Sequence, residues 1–251
     1  RLQVYKPISV ANLVCVREIS VYLLLDIGNT REKAALIKSG KVTALPQLAP
    51  DNLAKLPIKA VYFASVASQE KVAAIKQQLG LDHLPWRQVY SEAKACGVSN
   101  SYQQPQMLGV DRWLAMLGTQ LLFPSQNTLI VDAGTAVTID WLAQDGQHGG
   151  GWIIPGLKMQ QQAVVKNTAR VFNAETYDGR LQPGADTVAG LQNGCLAAVL
   201  GAIRLAWQQT PCNKLVLTGG DSKFLKSYLS DLPIVVEPLL IFHGLARYID
   251  M

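Results

Sequence analysis

The chain has few of the residues that support a metal cluster, a disulfide scaffold or a membrane span. Cys15, Cys96, Cys195 and Cys212 show neither CxxC spacing nor a paired histidine pattern, which argues against structural zinc and favours reduced thiols and a cytoplasmic location. The three histidines have no ligand spacing and are interpreted as structural. Asp, Gly or Arg interrupts every apolar run well before about 18 residues, so no transmembrane span is predicted.

Charge is also sparse. Lys, Arg, Asp and Glu make up 16% of the residues, and the net charge of +5 arises without any block of Lys or Arg. This diffuse excess argues against a nucleic-acid arm and suits small anions such as ATP and a carboxylate, although charge alone leaves a nucleic-acid binder as a third possibility. The hydrophobic fraction of 49% can fill two modest cores, so we expect a globular protein.

Two segments about half a chain apart carry nearly the same pattern. Residues 21–30 and 127–136 are each an apolar run that ends in Asp-x-Gly, with a hydroxyl residue within the next two positions. The pattern predicts a strand and then a turn, in which glycine lets backbone N–H groups converge on a phosphate and the Asp faces a cation or water. Either motif alone fits an ordinary hairpin with a solvated Lys33. Its repetition predicts two similar lobes around one nucleotide.

The remaining pattern predicts the order of elements. In the first half, an antiparallel meander over residues 21–45 precedes a βαβ segment over 58–90, in which Ser68 caps a helix that Gly80 ends. A helix with an apolar stripe is predicted from Pro105 to Phe123. The second half repeats the pattern with strands at 128–132, 136–142, 151–154, 214–218 and 234–236, helices at 156–166 and 187–208, a helix to 229 and a final helix.

These elements predict an α/β fold of two similar lobes, each a mixed sheet that opens with an antiparallel meander and is flanked by helices. The best boundary is the segment 123–127, which contains Pro124. We therefore expect a first lobe over 21–124 and a second over 125–251. Residues 1–20 are an extension of uncertain origin.

An ordered set of motifs resembles that of type III pantothenate kinases, in the superfamily of acetate kinase, sugar kinases, Hsp70 and actin, whose lobes are actin-like, or ribonuclease H-like. The motifs are Asp26-Ile-Gly-Asn-Thr30, Gly109-Val-Asp-Arg112 and Asp132-Ala-Gly-Thr-Ala-Val-Thr138, with Gly150-Gly-Trp-Ile-Ile-Pro-Gly156 as a further match. The resemblance implies ATP-dependent phosphorylation of pantothenate to 4′-phosphopantothenate, the first step toward coenzyme A. It also implies a homodimer, Mg²⁺ and a monovalent cation, K⁺ or NH₄⁺.

The resemblance further implies roles for individual residues. Asp111 matches the catalytic base, which accepts the proton of the pantothenate hydroxyl, and Asp132 matches the monovalent-cation ligand. The ATP contacts correspond to Asp26, which is also expected to hold Mg²⁺ directly or through water, and to Ile27, Gly28, Asn29, Thr30, Arg31, Glu32, Lys33 and Thr135. The pantothenate contacts correspond to Tyr102, Gly109, Val110, Asp111, Arg112 and Thr187 of the partner subunit.

Simpler interpretations stay open. Asp111 fits a helix-capping carboxylate, Arg112 a surface ion pair, Tyr102 a loop residue, and Asp186 or Thr187 an N-cap. For the whole chain, the alternatives are a kinase for a sugar or another small alcohol, and a nucleotide-binding regulator without catalysis, as the accessory-factor name of some relatives suggests.

Two glycine clusters receive no catalytic role at this point. The triple glycine 149–151 departs from the family pattern and is not expected to touch the chemistry. The strand that ends in Gly219 and Gly220 is similar to an adenosine-side loop of the superfamily, but alone it indicates only a turn.

Overall fold

The computed structural model describes residues 20–28, 32–168 and 179–249, so most of the predicted extension lies outside the described residues. The strands in these ranges form two five-stranded sheets and a two-stranded hairpin. They are β1 (Val21–Ile27), β2 (Glu32–Lys38), β3 (Lys41–Leu45), β4 (Ile58–Ser65), β5 (Trp86–Gln88), β6 (Lys94–Ala95), β7 (Val98–Ser99), β8 (Thr128–Ala133), β9 (Ala136–Leu142), β10 (His148–Pro155), β11 (Lys214–Thr218) and β12 (Ile234–Val236).

The two large sheets share one topology. The strand order is β3-β2-β1-β4-β5 in the first sheet and β10-β9-β8-β11-β12 in the second. In each sheet the central strand pairs antiparallel with the strand that follows it, β2 or β9, and parallel with a later strand, β4 or β11. The predicted pair of similar lobes, each a mixed sheet that opens with an antiparallel meander, is therefore confirmed.

Helices cover both sheets. They are α1 (Pro50–Leu53), α2 (Gln69–Leu79), α3 (Val110–Leu122), α4 (Leu157–Asn167), α5 (Thr187–Gln209), α6 (Ser222–Lys226) and α7 (Leu240–Ala246). The predicted limits of α2 are confirmed: the Ser68 hydroxyl accepts a hydrogen bond from the Lys71 N–H at 3.3 Å, and Gly80 ends the helix with a φ of +63°. Glycine adopts this left-handed angle without a steric penalty.

The central strands are buried on both faces. Along β1, Leu23 and Leu25 pack in one core with Val61, whereas Leu24 packs in another core with Trp113. Because helices or a second layer cover each face, the strand is an almost continuous apolar run rather than an alternating one. The same holds for β8, so both Asp-x-Gly turns follow strands that are fixed on two sides.

The last helix returns to the first half of the chain. Helices α3 and α7 touch backbone to backbone: a Cβ on Gly118 would lie within van der Waals overlap of the Leu240 carbonyl, and a Cβ on Gly244 would overlap the Leu114 carbonyl. Helix α7 also contacts β1 and β4. The predicted boundary falls between α3 and β8, but the core that surrounds α3 contains residues from both halves.

Two predicted helices are shorter than expected. Pro105–Met107 is a single 3₁₀ turn, Leu108 is extended, and α3 begins only at Val110, so Met107 is exposed rather than part of the apolar stripe. The Pro105 carbonyl accepts from the Leu108 N–H of this turn and from the Asn100 side-chain amide, each at 3.2 Å. Similarly, α6 ends at Lys226, where the Ser227 hydroxyl donates to the Phe224 carbonyl and competes with further helical bonds.

Helix α5 is unusually apolar. By length and composition alone its 23 residues could cross a membrane, and about a third of the relevant window is buried. One face packs into the core under the second sheet through Leu196, Val199 and Ile203. Its outer face includes Leu205, which is half exposed.

Candidate active site

Both Asp-x-Gly turns open onto one cavity. The cavity has a volume of about 310 Å³, and Asp26 and Lys33 from the first sheet line it together with Asp132 and Thr135 from the second. Asp111, at the start of α3, completes the wall. The two turns thus meet at one place, as the repeated motif predicts, and the start of α3 joins them there.

The first turn is held by two lysines. Asp26 and Lys33 face each other in the β1–β2 register, with 3.9 Å between the Lys33 Nζ and the carboxylate. Lys71 from α2 donates to the Gly28 carbonyl at 2.8 Å and forms an ion pair with Glu32, also at 2.8 Å. The hydrogen bond from Lys71 lowers the pKa of Glu32. Lys71 therefore joins the two ends of the turn. Sequence analysis did not identify this role, because Lys71 lies 43 residues downstream of Gly28.

The other predicted ATP contacts in this segment differ in their burial and in their partners. Ile27 is fully buried in the core, so only its backbone faces the turn. Glu32 is engaged with Lys71. The predicted contacts Asn29, Thr30 and Arg31 lie outside the described residues.

The second turn is packed so closely that two neighbouring positions must be glycine. A Cβ on Gly156, at the start of α4, would overlap the Gly134 carbonyl. A Cβ on Gly219, which has a φ of +88°, would overlap both the Ala133 carbonyl and the Asp132 carboxylate. Gly220 lines the cavity. The paired glycines therefore form part of the site wall, beyond the simple turn that sequence indicated.

Asp111 lies in the first turn of α3. Its carboxylate accepts a hydrogen bond from the Arg112 N–H at 2.8 Å, and it lies over Gly109, where a Cβ would be 2.6 Å from the Asp111 Oδ1. The free N–H groups and the dipole of a helix N-terminus favour an acidic residue at this position. Part of the capping interpretation is thus observed, and the same carboxylate faces the cavity. Gly109 and Val110 line an adjacent depression, and Val66 lines both.

Arg112 forms a buried ion pair, not a surface one. Its side chain is 3% exposed, and its Nε and Nη2 donate to the two oxygens of Asp140 at 2.9 and 2.5 Å. Its Nη1 donates to the Tyr102 hydroxyl at 2.9 Å, which places the predicted Tyr102 and Arg112 in direct contact. Burial by itself would lower the pKa of the guanidinium, but the hydrogen bonds and charge of Asp140, assisted by Tyr102, raise the pKa above its ordinary value.

His148 and Gly151 join this pair. The structural interpretation of His148 is confirmed, whereas the expectation that the triple glycine touches no site residue is wrong. The His148 Nε2 lies 2.9 Å from Asp140 Oδ1, and its Nδ1 lies 3.1 Å from the Ser101 hydroxyl. A Cβ on Gly151 would lie within overlap distance of both Arg112 and Asp140. The triple glycine does touch residues of the site, because β10 passes directly over the ion pair. In the sequence, the indication of this buried pair was Asp140, a charged residue within the mostly apolar strand β9.

Thr187 is not brought to the cavity within one chain. It is the exposed first residue of α5, and the preceding Asp186 caps that helix by accepting from the Ala189 N–H at 2.8 Å. The capping interpretation is therefore confirmed for Asp186.

The carboxylates of the cavity do not form a dense metal cluster. Over the described ranges, no three His, Cys, Asp or Glu side chains lie close enough to hold a metal ion together. Asp26 and Asp132 line the same cavity, one from each sheet, and carboxylate oxygens of this kind suit a hard cation whose remaining ligands come from phosphate or water.

Known proteins resemble this chain over most of its length. The family model of type III pantothenate kinase matches residues 22–209. The type III pantothenate kinase of Colwellia psychrerythraea is 37% identical over an alignment that covers 90% of this chain and 99% of that protein.

Solved structures show the same fold. A Campylobacter jejuni structure described as a Baf family transcriptional activator is 25% identical, with a TM-score of 0.57, and the match covers 91% of this chain and 97% of that one. The activator of 2-hydroxyisocaproyl-CoA dehydratase from Clostridium difficile has a TM-score of 0.51 at 13% identity, with 91% and 93% covered. On the family model and the curated relative, the chain belongs to the type III pantothenate kinase family.

Proposed function

We propose that this protein transfers the γ-phosphoryl group of ATP to the primary hydroxyl of pantothenate, which yields 4′-phosphopantothenate in the first step of coenzyme A synthesis. The observation that carries the proposal is the meeting of Asp26, Lys33, Asp111, Asp132 and Thr135 on one cavity wall, from three separate segments, in a chain of this family. Phosphoryl transfer depends mainly on positioning and on charge neutralisation, and these residue types provide both.

In this proposal the two turns hold ATP from opposite sides. Gly28 and Gly134 allow close approach of the phosphates, and Lys33 supplies a positive charge beside them. The Asp26 carboxylate fits a divalent ion, Mg²⁺, that takes most of its ligands from the nucleotide and from water. Bound Mg²⁺ neutralises charge on the β- and γ-phosphates.

Asp111 acts on the acceptor alcohol. Its carboxylate is fixed by the Arg112 N–H and faces the cavity, so it can orient the hydroxyl and accept its proton as the phosphoryl group moves. Tyr102 and Arg112 contact each other beside it and are the proposed walls of the pantothenate site. Asp132 is the proposed ligand of a monovalent cation, K⁺ or NH₄⁺, since carboxylate and carbonyl oxygens accept such hard ions.

A homodimer would complete the site through Thr187 of the partner subunit. The outer surface of α4 and α5 supports a partner there, because Met159, Val164 and Leu205 are exposed on neighbouring helices. Light scattering coupled to gel filtration tests this point. An active monomer would contradict the proposed role of Thr187, because that role requires a partner subunit.

A cytoplasmic location is also proposed. Cys96, Cys195 and Cys212 are free thiols, which suits a reducing compartment.

The decisive experiment is a coupled assay with ATP, Mg²⁺, pantothenate, and either potassium or ammonium. Turnover should require pantothenate, and Asp111→Asn should reduce kcat by about 10²–10⁴-fold, the usual range for a lost general base, while ATP binding measured by calorimetry persists. Absence of turnover under all these conditions would falsify the proposal. Full activity of Asp111→Asn would show that Asp111 is not the catalytic base.

Two other functions are distinguished by the same measurements. The transcriptional-activator name of the Campylobacter jejuni structure favours a nucleotide-binding regulator as second candidate; binding of ATP without pantothenate binding or turnover would support it. A panel of sugars and small alcohols tests for a kinase with another acceptor.

A further inference from the structure

A closed network of side chains lies behind the proposed acceptor site. The Asp140 carboxylate in β9 contacts both Arg112 and His148. The rings of His148 and Tyr102 stack, with centroids 6.1 Å apart and planes inclined by 16°. The Ser101 hydroxyl closes the network at His148 Nδ1. Strands β9 and β10 belong to the second sheet, whereas Ser101, Tyr102 and Arg112 precede or begin α3. The network therefore ties the two halves of the chain together beside the cavity.

Burial makes the arrangement rigid. The side chains of Arg112 and Asp140 are each 3% exposed and that of His148 is fully buried. Water cannot reach a buried guanidinium to replace a lost hydrogen-bond partner. The position of the Arg112 guanidinium is therefore set by the carboxylate that it contacts. Asp140 occupies the two-donor edge formed by Nε and Nη2. Arg112 also donates through Nη1 to the Tyr102 hydroxyl, so Asp140 and Tyr102 together hold the plane of the guanidinium.

The network reaches Asp111 through one covalent step. Arg112 follows Asp111 directly, and the Arg112 N–H donates to the Asp111 carboxylate at 2.8 Å. Fixing the Arg112 side chain fixes the first turn of α3, and with it the N–H that orients this carboxylate. Gly151 permits the arrangement, because any side chain there would press on both members of the ion pair.

We propose that Asp140 and His148 are positioning residues for phosphoryl transfer, which hold Tyr102 and, through Arg112, the Asp111 carboxylate in place for the acceptor alcohol. The inference rests on the proposed function for its kinetic readout, but its structural content is independent of the acceptor's identity. Neither residue lines the cavity, so neither is assigned a direct contact with substrate.

Four variants test the network. Asp140→Asn keeps the shape but weakens the pairing with Arg112, and we expect kcat to fall by about 10–100-fold, the order of loss for a small displacement of a reacting group. His148→Gln retains a donor for Asp140, whereas His148→Leu does not, so Gln should preserve more activity than Leu. Ser101→Ala removes only the exposed end of the network and should raise the KM for pantothenate without altering the KM for ATP.

A purely structural role predicts a different result. Loss of folded protein would lower all rates together and leave both KM values unchanged in the folded fraction. Asp231→Asn is the matched control, since Asp231 forms a two-point pair with Arg204 on the surface, outside the cavity lining; its kinetics should equal those of the wild type. Combining Asp140→Asn with Asp111→Asn should cost little beyond Asp111→Asn alone, because the first change acts through the second residue. Additive losses would overturn the proposal.

Crystal structures of Asp140→Asn and His148→Leu provide a readout without turnover. We expect the Asp111 carboxylate to leave the Arg112 N–H, or the Tyr102 hydroxyl to leave Arg112 Nη1. Unmoved groups would overturn the inference whatever the substrate is. If instead the wild type does not phosphorylate pantothenate, the proposed function fails, and these two structures still decide the role of the network.

Discussion

Replacing Gly109 by alanine should move the proposed base while leaving the fold intact. Gly109 precedes α3 with a φ of −54° and a ψ of 132°, angles that any residue adopts. The atom closest to an added Cβ is the Asp111 Oδ1 at 2.6 Å, and the next ones are 3.7 Å or more away. The carboxylate must therefore retreat by about 0.8 Å to reach an ordinary van der Waals separation of 3.4 Å.

This displacement sets the expected magnitude. Misplacing a reacting group by about 1 Å costs about 10²-fold in rate, so we expect kcat for pantothenate to fall by about 30–100-fold, or about 2–3 kcal/mol in activation free energy. Stability should change by less than about 1 kcal/mol, because Gly109 makes no side-chain cap and the neighbouring backbone is not crowded. The melting temperature should accordingly shift by no more than about 4 °C.

The assay is steady-state kinetics with both substrates varied, alongside thermal unfolding. Gly201→Ala is the matched control, since a Cβ on Gly201 in α5 meets nothing within 4 Å; it should leave kcat unchanged. The double variant Gly109→Ala with Asp111→Asn should be no slower than Asp111→Asn. If Gly109→Ala retains the wild-type kcat although Asp111→Asn abolishes it, the position of the carboxylate over Gly109 is irrelevant and the reasoning fails.

Three further predictions concern other parts of the molecule. Lys71→Met should raise the KM for ATP by about tenfold, the scale of a lost charge-assisted contact of about 1.5 kcal/mol, because Lys71 bonds both Gly28 and Glu32. A KM for ATP equal to that of the wild type would contradict a role of Lys71 in holding the first turn. Gly151→Ala should lower stability by about 3 kcal/mol through overpacking against the buried ion pair, which calorimetry would detect as a melting temperature lower by about 6–12 °C. Burial lowers the pKa of His243 despite nearby Glu237, so the unfolded chain binds the proton more readily and stability should be lost as pH falls below about 6.5. Urea titrations of His243→Gln should show a weaker decline in stability. A pH profile identical to that of the wild type would show that His243 does not cause the decline.

Local patterns predicted the secondary structure well where one signal was sufficient. Apolar runs gave the strands, and Ser68 and Gly80 gave both ends of α2. The helix predicted from Pro105 was wrong at its start, because residues 105–107 form only a 3₁₀ turn and the extended Leu108 separates it from α3. The β6–β7 hairpin was missed because its strands have two residues each, too few for a periodic pattern.

Site residues were predictable to the extent that their motifs are local. Asp26, Lys33, Asp111, Asp132 and Thr135 were selected from sequence, and they line one cavity. Asp140 and His148 were not selected, because nothing near them in the chain indicates that they meet Arg112. Arg112 lies 28 residues from Asp140, and the match between them depends on how α3 packs against β9.

By itself, the sequence determined two strand-turn repeats, the order of the elements and the residue types that a phosphate requires, because each of these depends on neighbours within a few positions. The residues for the acceptor alcohol were implied by the resemblance to a known family. Only the tertiary structure decided that Arg112 is buried against Asp140, that β10 needs Gly151 to pass over them, and that α7 returns to pack on α3. Burial and pairing depend on which distant segments share a core, and that information is present in the packed chain rather than in any short window of it.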